Sequence, residues 1–465
     1  MRLANIGDAV GFVCYDAVLP GNLIMLQKRQ VPMIALSAHE VPTVFAGNRR
    51  FFDRFRAGAG RDAVRCLLPV LLLVLPAAAQ KPRTDQFTPV IVSTLTDSAL
   101  PFPGTDGKYH VVYELKLTNT KPTTATLTKV EVVGAGGEKP AVVAAYAGDA
   151  LVSRLRTLAN TPANSAEIEF NGTRLFLIDL TFNSPAEIPS RLAHHFELTA
   201  ASMPAPVPMT PAALSYTVAP IKLSLPPIEI GAPLTGSRWV AINGCCGLGG
   251  AHRGSGLSAN GGIFYGQRFA IDWMRLDEGG RLVHGDPADV HNYADYGVDV
   301  LSVADGTVVD MLSTLDDQPP GQLPDPKTIT IQNVDGNHVI VDLGHGVYAF
   351  YAHMEKNSIP VALGQHVKRG DVLGKLGNTG NTSAPHLHFH LMDGPSPLAS
   401  NGIPYIIDSF ALAGQIPEEK DPASAPSIEG SWSSYLFPSA SPRHGQFPLD
   451  LTVVNFAEAA GGGKQ

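Results

Sequence analysis

The sequence predicts a mainly β protein, with an N-terminal sandwich of immunoglobulin-like type followed by a second β-rich unit. Three observations carry this. Short apolar runs alternate with turn clusters, Gly (46) and Pro (38) are plentiful, and hydrophobic residues reach 44% against 16% charged. That profile suits a turn-rich globular protein rather than a disordered chain. At 465 residues there is room for two or three domains, each with its own core. The formal charge of −8 and the lack of any Lys/Arg run leave no electrostatic basis for nucleic-acid binding.

The elements follow in order. Residues 61–80, RDAVRCLLPVLLLVLPAAAQ, combine arginines, an apolar run and Ala77-Ala78-Ala79, the pattern of a secretory signal peptide. The run is about half of the ~20 residues that span a bilayer, so no stable membrane span is expected in the mature protein. Residues 1–79 are thus expected to be a mis-started leader plus a signal peptide at about 61–79, with translation beginning near Val64. The alternative is a buried core strand at 67–75. Export to the periplasm, the cell envelope or the medium follows from the first reading. The cysteines give no disulfide framework: Cys14 and Cys66 precede any recognisable domain, and adjacent Cys245-Cys246 cannot close a loop.

Residues 80–230 are expected to form the sandwich and a Pro-rich linker. FTPVIVSTL, KYHVVYELKLTN, ATLTKVEVVGAG, RLFLIDLTF, HHFELTA and ALSYTVAPIKLSL read as strands. Val111, Tyr113, Leu115 and Leu117 share one side, the period-2 signature of a half-buried strand. His194 and His195 point to opposite faces of a regular strand and cannot serve one site, so this unit is expected to be a spacer or binding module. Pro-rich stretches at 203–211 and 226–233 read as the linker.

Residues 231–415 hold the chemistry. Eleven of the fifteen histidines lie between His252 and His444, and histidine is both the commonest metal ligand and the usual general base at neutral pH. DGTVVDM, KTITIQNV, NHVIVDLG and VYAFYAHM read as strands separated by glycine turns. In PHLHFHLMD, a strand over Pro385–Leu391 places His386, His388 and His390 on one face, with Leu387, Phe389 and Leu391 on the other. Side chains two apart on a strand stand roughly 6–7 Å apart. One imidazole can then bind a metal while its neighbour handles a proton beside it. His353 follows the strand-like VYAFYA. Residues 416–465 are expected to be a C-terminal extension, with FPLDLTVVNF (447–456) adding one edge strand.

The order GVDVLSVADGTVV (297–309), GNHVIVDLG (336–344), FYAHM (350–354), VALGQHVKRGDVLGKLGNTG (361–380) and PHLHFH (385–390) resembles the lysostaphin/LytM-type zinc metallopeptidases. The resemblance covers roughly a quarter of the chain. It implies an antiparallel β-sheet with a groove, one Zn2+ held by His, Asp and His, and cleavage of peptides in peptidoglycan. Carried over, His388 is the ligand of the H-x-H element, and His386 and His353 act on the water and the developing oxyanion. The family's H-x-G-x-D element is missing. RFAID matches its strand, which puts Asp272 in the ligand-Asp place and Arg268 where the ligand His belongs. Arginine keeps its proton and cannot ligate zinc. The chain resembles a divergent branch with HR (252–253) and RFAIDW (268–273) elements, which makes His252 the replacement ligand. His291, His284 and a thiolate from Cys245 or Cys246 remain alternatives.

The expected function is an exported zinc metalloendopeptidase acting on peptidoglycan peptide. The alternative is a non-catalytic module of the same family that binds cell wall or activates another wall hydrolase, and a third is a metalloenzyme with another target. Degenerate members lose the H-x-H or YAH histidines, and all three are present here. Neither the bond cleaved nor the oligomeric state can be read from the sequence.

Overall fold

The computed structural model describes residues 85–135, 141–201, 211–224, 226–417 and 429–458. The expected leader and signal segment, with Cys14 and Cys66, lies outside the described residues, as does most of the first Pro-rich stretch. All described residues belong to one compact unit, Pro82–Gln465.

Two sheets face each other in the first part. One runs Val90–Thr94, Tyr109–Asn119, Thr173–Phe182, Leu155–Arg156; the other runs Ser98–Ala99, Pro211–Leu223, Arg191–Ala201, Ala125–Gly134, Ala141–Ala147. Val111, Tyr113, Leu115 and Leu117 share one face of Tyr109–Asn119 as expected and pack with Val130, Val132 and Phe196 of the facing sheet, but the strand is buried on both faces rather than half-buried. The expected sandwich is therefore present. His194 and His195 face opposite ways. His194 is buried against the Tyr113 hydroxyl (2.8 Å), whereas His195 turns outward to Thr217 (2.9 Å). The opposite face of Tyr109–Asn119 is covered too, since Val112 joins the core of the second sheet and Glu114 is fully buried.

The second part is one long sheet in the order Ile228–Ile230, Tyr405–Gln415, Thr452–Asn455, Trp239–Ile242, Ile271–Arg275, Leu387–Met392, Val347–Ala352, His338–Gly344, Gly306–Leu312, His366–Val367. Its pairings are antiparallel except for Ile228–Ile230 on Tyr405–Gln415. One face buries Trp273, Leu387, Phe389, Leu391, Ala349 and Tyr351 in the main core. On the other, His388 and Asp272 stand paired, with Phe350, Ile340 and Ala352 forming an apolar floor beside them. Apolar residues at alternate positions thus hold the histidine face in place, because a one-residue slip would turn every histidine into the core.

Three expectations are corrected. Residues 226–233 do not form a free linker: Ile228–Ile230 is the first strand of the long sheet. Residues 327–334 form turns rather than a strand, with Ile331 75% exposed, since nothing packs against its apolar positions. The C-terminal segment does not sit at an edge. Thr452–Asn455 is inserted between Tyr405–Gln415 and Trp239–Ile242, and its Val453 and Val454 are fully buried on opposite faces.

Phe196 fills the centre of the sandwich. Phe196→Ala is expected to lower the unfolding free energy by about 3–5 kcal/mol through lost burial and the cavity left behind, measured by urea denaturation.

Candidate metal centre

Antiparallel register sets Asp272 directly opposite His388 and His388 opposite Ala352. Directly opposed side chains lie on the same side of a sheet, so the carboxylate and imidazole meet: His388 Nδ1 is 2.9 Å from Asp272 Oδ1. His386 lies one residue before the Leu387–Met392 strand and brings its Nε2 to 3.3 Å from the same oxygen. The other carboxylate oxygen faces His252 Nε2 at 3.3 Å. His252 comes from the turn 250–254, which folds back over the start of the Asp272 strand as its Nδ1–H donates to the Ala270 carbonyl (3.0 Å).

Donor atoms of His252, Asp272 and His388 lie within 4.8 Å of one another, and so do donor atoms of His353, His386 and His388. All five residues expected at the site therefore converge. His353 ends the Val347–Ala352 strand in a left-handed conformation (φ +62°), strained for a residue with a Cβ. Its Nδ1–H donates to the Thr379 carbonyl at 2.7 Å, and its ring centre is 4.7 Å from that of His386. Gly336 and Gly380, both at positive φ, abut just behind: a Cβ on Gly336 would collide with Thr379, and one on Gly380 with the Gly336 backbone. His390 is no part of either cluster. Its Nδ1 meets His388 Nε2 at 3.1 Å, so it satisfies the outward nitrogen of His388.

The alternatives are set aside by position. Among the described residues, His284 and His291 share no donor cluster with Asp272. Among the described residues, Cys245 and Cys246 likewise share no donor cluster with Asp272.

The electrostatics follow from one buried carboxylate among imidazoles. Burial raises the Asp272 carboxyl, but His252 and His386 outweigh it and hold the pKa well below the carboxylate range. Burial works against charged His252 and His386, yet Asp272 raises both. His388 is pushed down to about 4, chiefly by burial. His353 also falls well below its ordinary value, by burial and by the neighbouring imidazoles.

These residues fit a divalent cation. With Nδ1–H committed to a backbone carbonyl, neutral His252 points a lone pair at a carboxylate oxygen, an arrangement that needs a cation or a proton between them. Backbone and side-chain bonds to the far nitrogens are also how metal-binding histidines are oriented. Three protein donors leave one position open, as in catalytic rather than structural zinc sites.

Residues 290–400 match the profile of peptidase family M23. The chain carries a peptidase family M23 domain. A curated relative, the peptidoglycan DD-endopeptidase ShyA of Vibrio cholerae serotype O1, is 42% identical over 57 residues, 12% of this chain and 13% of that protein. The match therefore spans about an eighth of that relative's length. Among solved structures, the catalytic domain of a mutant of the prophage-encoded M23 protein EnpA from Enterococcus faecalis is 20% identical, covering 37% of this chain and 92% of that one, with a TM-score of 0.21. The lysostaphin catalytic domain from Staphylococcus simulans is 22% identical over 31% of this chain and 80% of that one, with a TM-score of 0.19.

The family match includes His353, His386 and His388 and stops short of His252 and Asp272, which precede it. The donor cluster thus joins residues inside the match to two from a strand and a turn upstream of it. Sequence reasoning missed Asn243, whose side chain donates to Asp272 Oδ2 at 2.7 Å. The Asn243-Gly244 pair after an apolar run was a turn signal, but nothing in it pointed to a residue 29 positions away.

The pairing has a defined pH window without metal. Stabilisation from raised His252 and His386 is complete below their ordinary 6.5 and lost as pH rises through the raised values. That from lowered Asp272 is complete above its ordinary 3.8 and lost as pH falls through the lower folded value. Metal-free Asp272→Asn should therefore show its largest stability deficit against metal-free parent between about pH 4 and 6.5, read by denaturation across pH. In the same variant, the His252 and His386 imidazoles should titrate at lower pH by NMR.

Proposed function

We propose that this chain is an exported zinc metalloendopeptidase that hydrolyses peptide bonds in peptidoglycan. The observation carrying this reading is the convergence of His252, Asp272 and His388 donors within 4.8 Å, with His353 and His386 beside them. In this reading the metal residues are His252, Asp272 and His388, and the catalytic residues are His386 and His353. The substrate class is supported by the family match and by the curated relative, whose name describes a peptidoglycan DD-endopeptidase. Export is supported by the signal-like segment at 61–79. The proposed organisation remains a leader, a sandwich, a metallopeptidase unit from about residue 231 and a C-terminal extension that completes its sheet.

When bound, zinc supplies a Lewis acid that lowers the pKa of a water and polarises a peptide carbonyl. The rest belongs to the chain. His386 donates Nδ1–H to the Ala384 carbonyl (2.8 Å) and aims its Nε2 at Asp272 Oδ1 (3.3 Å), while His353 donates Nδ1–H to Thr379 and turns its Nε2 away from that carbonyl. Neutral, Nε2 accepts the proton of an attacking water; protonated, it donates to the developing oxyanion or to the leaving amine. Without metal, burial keeps His353 neutral, whereas Asp272 raises His386. Asn243 and His390 hold the carboxylate and the His388 ring in orientation.

Two measurements on purified protein test this: bound zinc by elemental analysis, and release of soluble fragments from purified cell-wall sacculi. Wild type is expected to carry one zinc and to release fragments. His388→Ala and His252→Ala should weaken zinc enough to lose it on purification, and lose the activity with it. His386→Ala and His353→Ala should keep the zinc and lose about 10²–10⁴-fold in rate, the usual contribution of a positioned proton-transfer group. Wild type without stoichiometric zinc would sink the enzyme reading, and zinc without hydrolysis would favour a wall-binding module.

A further inference from the structure

The HR and RFAIDW elements each contribute a metal-centre residue and an arginine, and both arginines end at one place. Glu114 is fully buried on the outer face of the sandwich strand Tyr109–Asn119. Its Oε1 accepts from Arg253 Nη1 and from Arg268 Nε (3.0 Å), and its Oε2 accepts from Arg268 Nη2. The guanidiniums are 1% and 3% exposed at the side chain. Arg253 also donates through Nη2 to the carbonyls of Tyr113 and Ile178 (both 3.2 Å), and Arg268 through Nη1 to the carbonyl of Gly402 (3.2 Å). The Tyr265 ring lies beside both, 5.9 and 5.8 Å from the guanidinium carbons.

Arg253 adjoins His252 in the chain. Arg268 sits in the single turn Gly266–Phe269 that leads into the Asp272 strand. The two arms carrying His252 and Asp272 are therefore fastened to a single carboxylate 139 and 154 residues away in sequence. Such a network is stable only when complete, because a buried guanidinium left without its carboxylate keeps its desolvation cost and gains repulsion from its twin. Bidentate guanidinium–carboxylate bonds also fix direction, which a simple apolar contact would not.

We propose that Glu114 is a positioning residue for the metal centre, tying the His252 turn and the Asp272 strand to the sandwich so that metal affinity depends on the sandwich being in place. This rests on the zinc reading above. It gives the sandwich a role in the M23 centre without contributing any ligand, and it accounts for an arginine in the place where the family's ligand His belongs.

The test uses the full chain stripped of metal. Zinc dissociation constants come from competition with a chromophoric chelator, corrected for the folded fraction seen by near-UV circular dichroism, and the cobalt(II) form gives an absorption spectrum. Glu114→Gln and Arg253→Lys should each weaken zinc about 10–100-fold, the usual effect of disturbing a group that orients a ligand, and should shift the cobalt bands. Phe196→Leu, in the sandwich core away from Glu114, should lower Tm and leave zinc affinity and spectrum unchanged. In a His252→Ala background, Arg253→Lys should cause little further loss, since that arm then carries no donor. Arg253→Lys keeps the buried charge and serves if Glu114→Gln does not fold. Wild-type zinc affinity and cobalt bands in the folded variants would overturn the proposal, as would a loss from Arg253→Lys that adds in full to that of His252→Ala. If His252→Ala alone leaves zinc affinity unchanged, the ligand assignment itself fails, and the proposal with it.

Discussion

A single carboxylate sets the order of the centre. Asp272 accepts from or faces His252, His386, His388 and Asn243 at once, and among the described residues it is the carboxylate that joins their donor cluster. In a buried site the Coulomb energy of such contacts is much larger than at a surface. Each imidazole takes its protonation state from the balance between Asp272, its own burial and the imidazoles around it. His252 and His386 are pushed toward the charged form, while His353 and His388 are pushed away from it. A set of four histidines of one chemical type is thus divided into two electrostatic kinds by geometry alone.

What fixes that geometry is strand register rather than local motif. His388 meets Asp272 because Leu387–Met392 pairs with Ile271–Arg275 at one offset, and that offset is held by the apolar residues on the reverse face. The histidines that are not ligands in the proposed arrangement are oriented by backbone carbonyls of Thr379 and Ala384. Side chains carry the chemistry, and main chain aims them.

The strands of the M23 domain were largely legible in the sequence, since alternation within HVIVDLG, VYAFYA and HLHFHLM reports two faces with different surroundings. The same alternation, together with the resemblance, made His353, His386 and His388 legible. His252 was reached through the resemblance to a branch with HR and RFAIDW elements and its place on a Gly-rich loop upstream, and Asp272 because RFAID fitted the strand. Asn243 and Glu114 were not legible. Their partners are far away in sequence, and neither an Asn in a turn nor a Glu in a strand shows which buried group it will meet. The misread segments have physical reasons as well. Prolines around Ile228–Ile230 suggested a linker although a parallel neighbour pairs with it, and the alternating ITI of 329–331 looked like a strand although no core lies beneath it. Sheet order is the largest omission: a short apolar segment does not state which neighbours it will have.

The insertion of Thr452–Asn455 between Tyr405–Gln415 and Trp239–Ile242 has a bearing on the order of assembly. Those flanking strands precede it in the chain and cannot be joined until Thr452–Asn455 lies between them. Until then each presents an open edge, and the stretch from Trp239 to Asp272 that brings the first two donors to the centre lacks its support from the C-terminal side. The support of the centre thus depends on a strand that lies after every one of its residues in the chain.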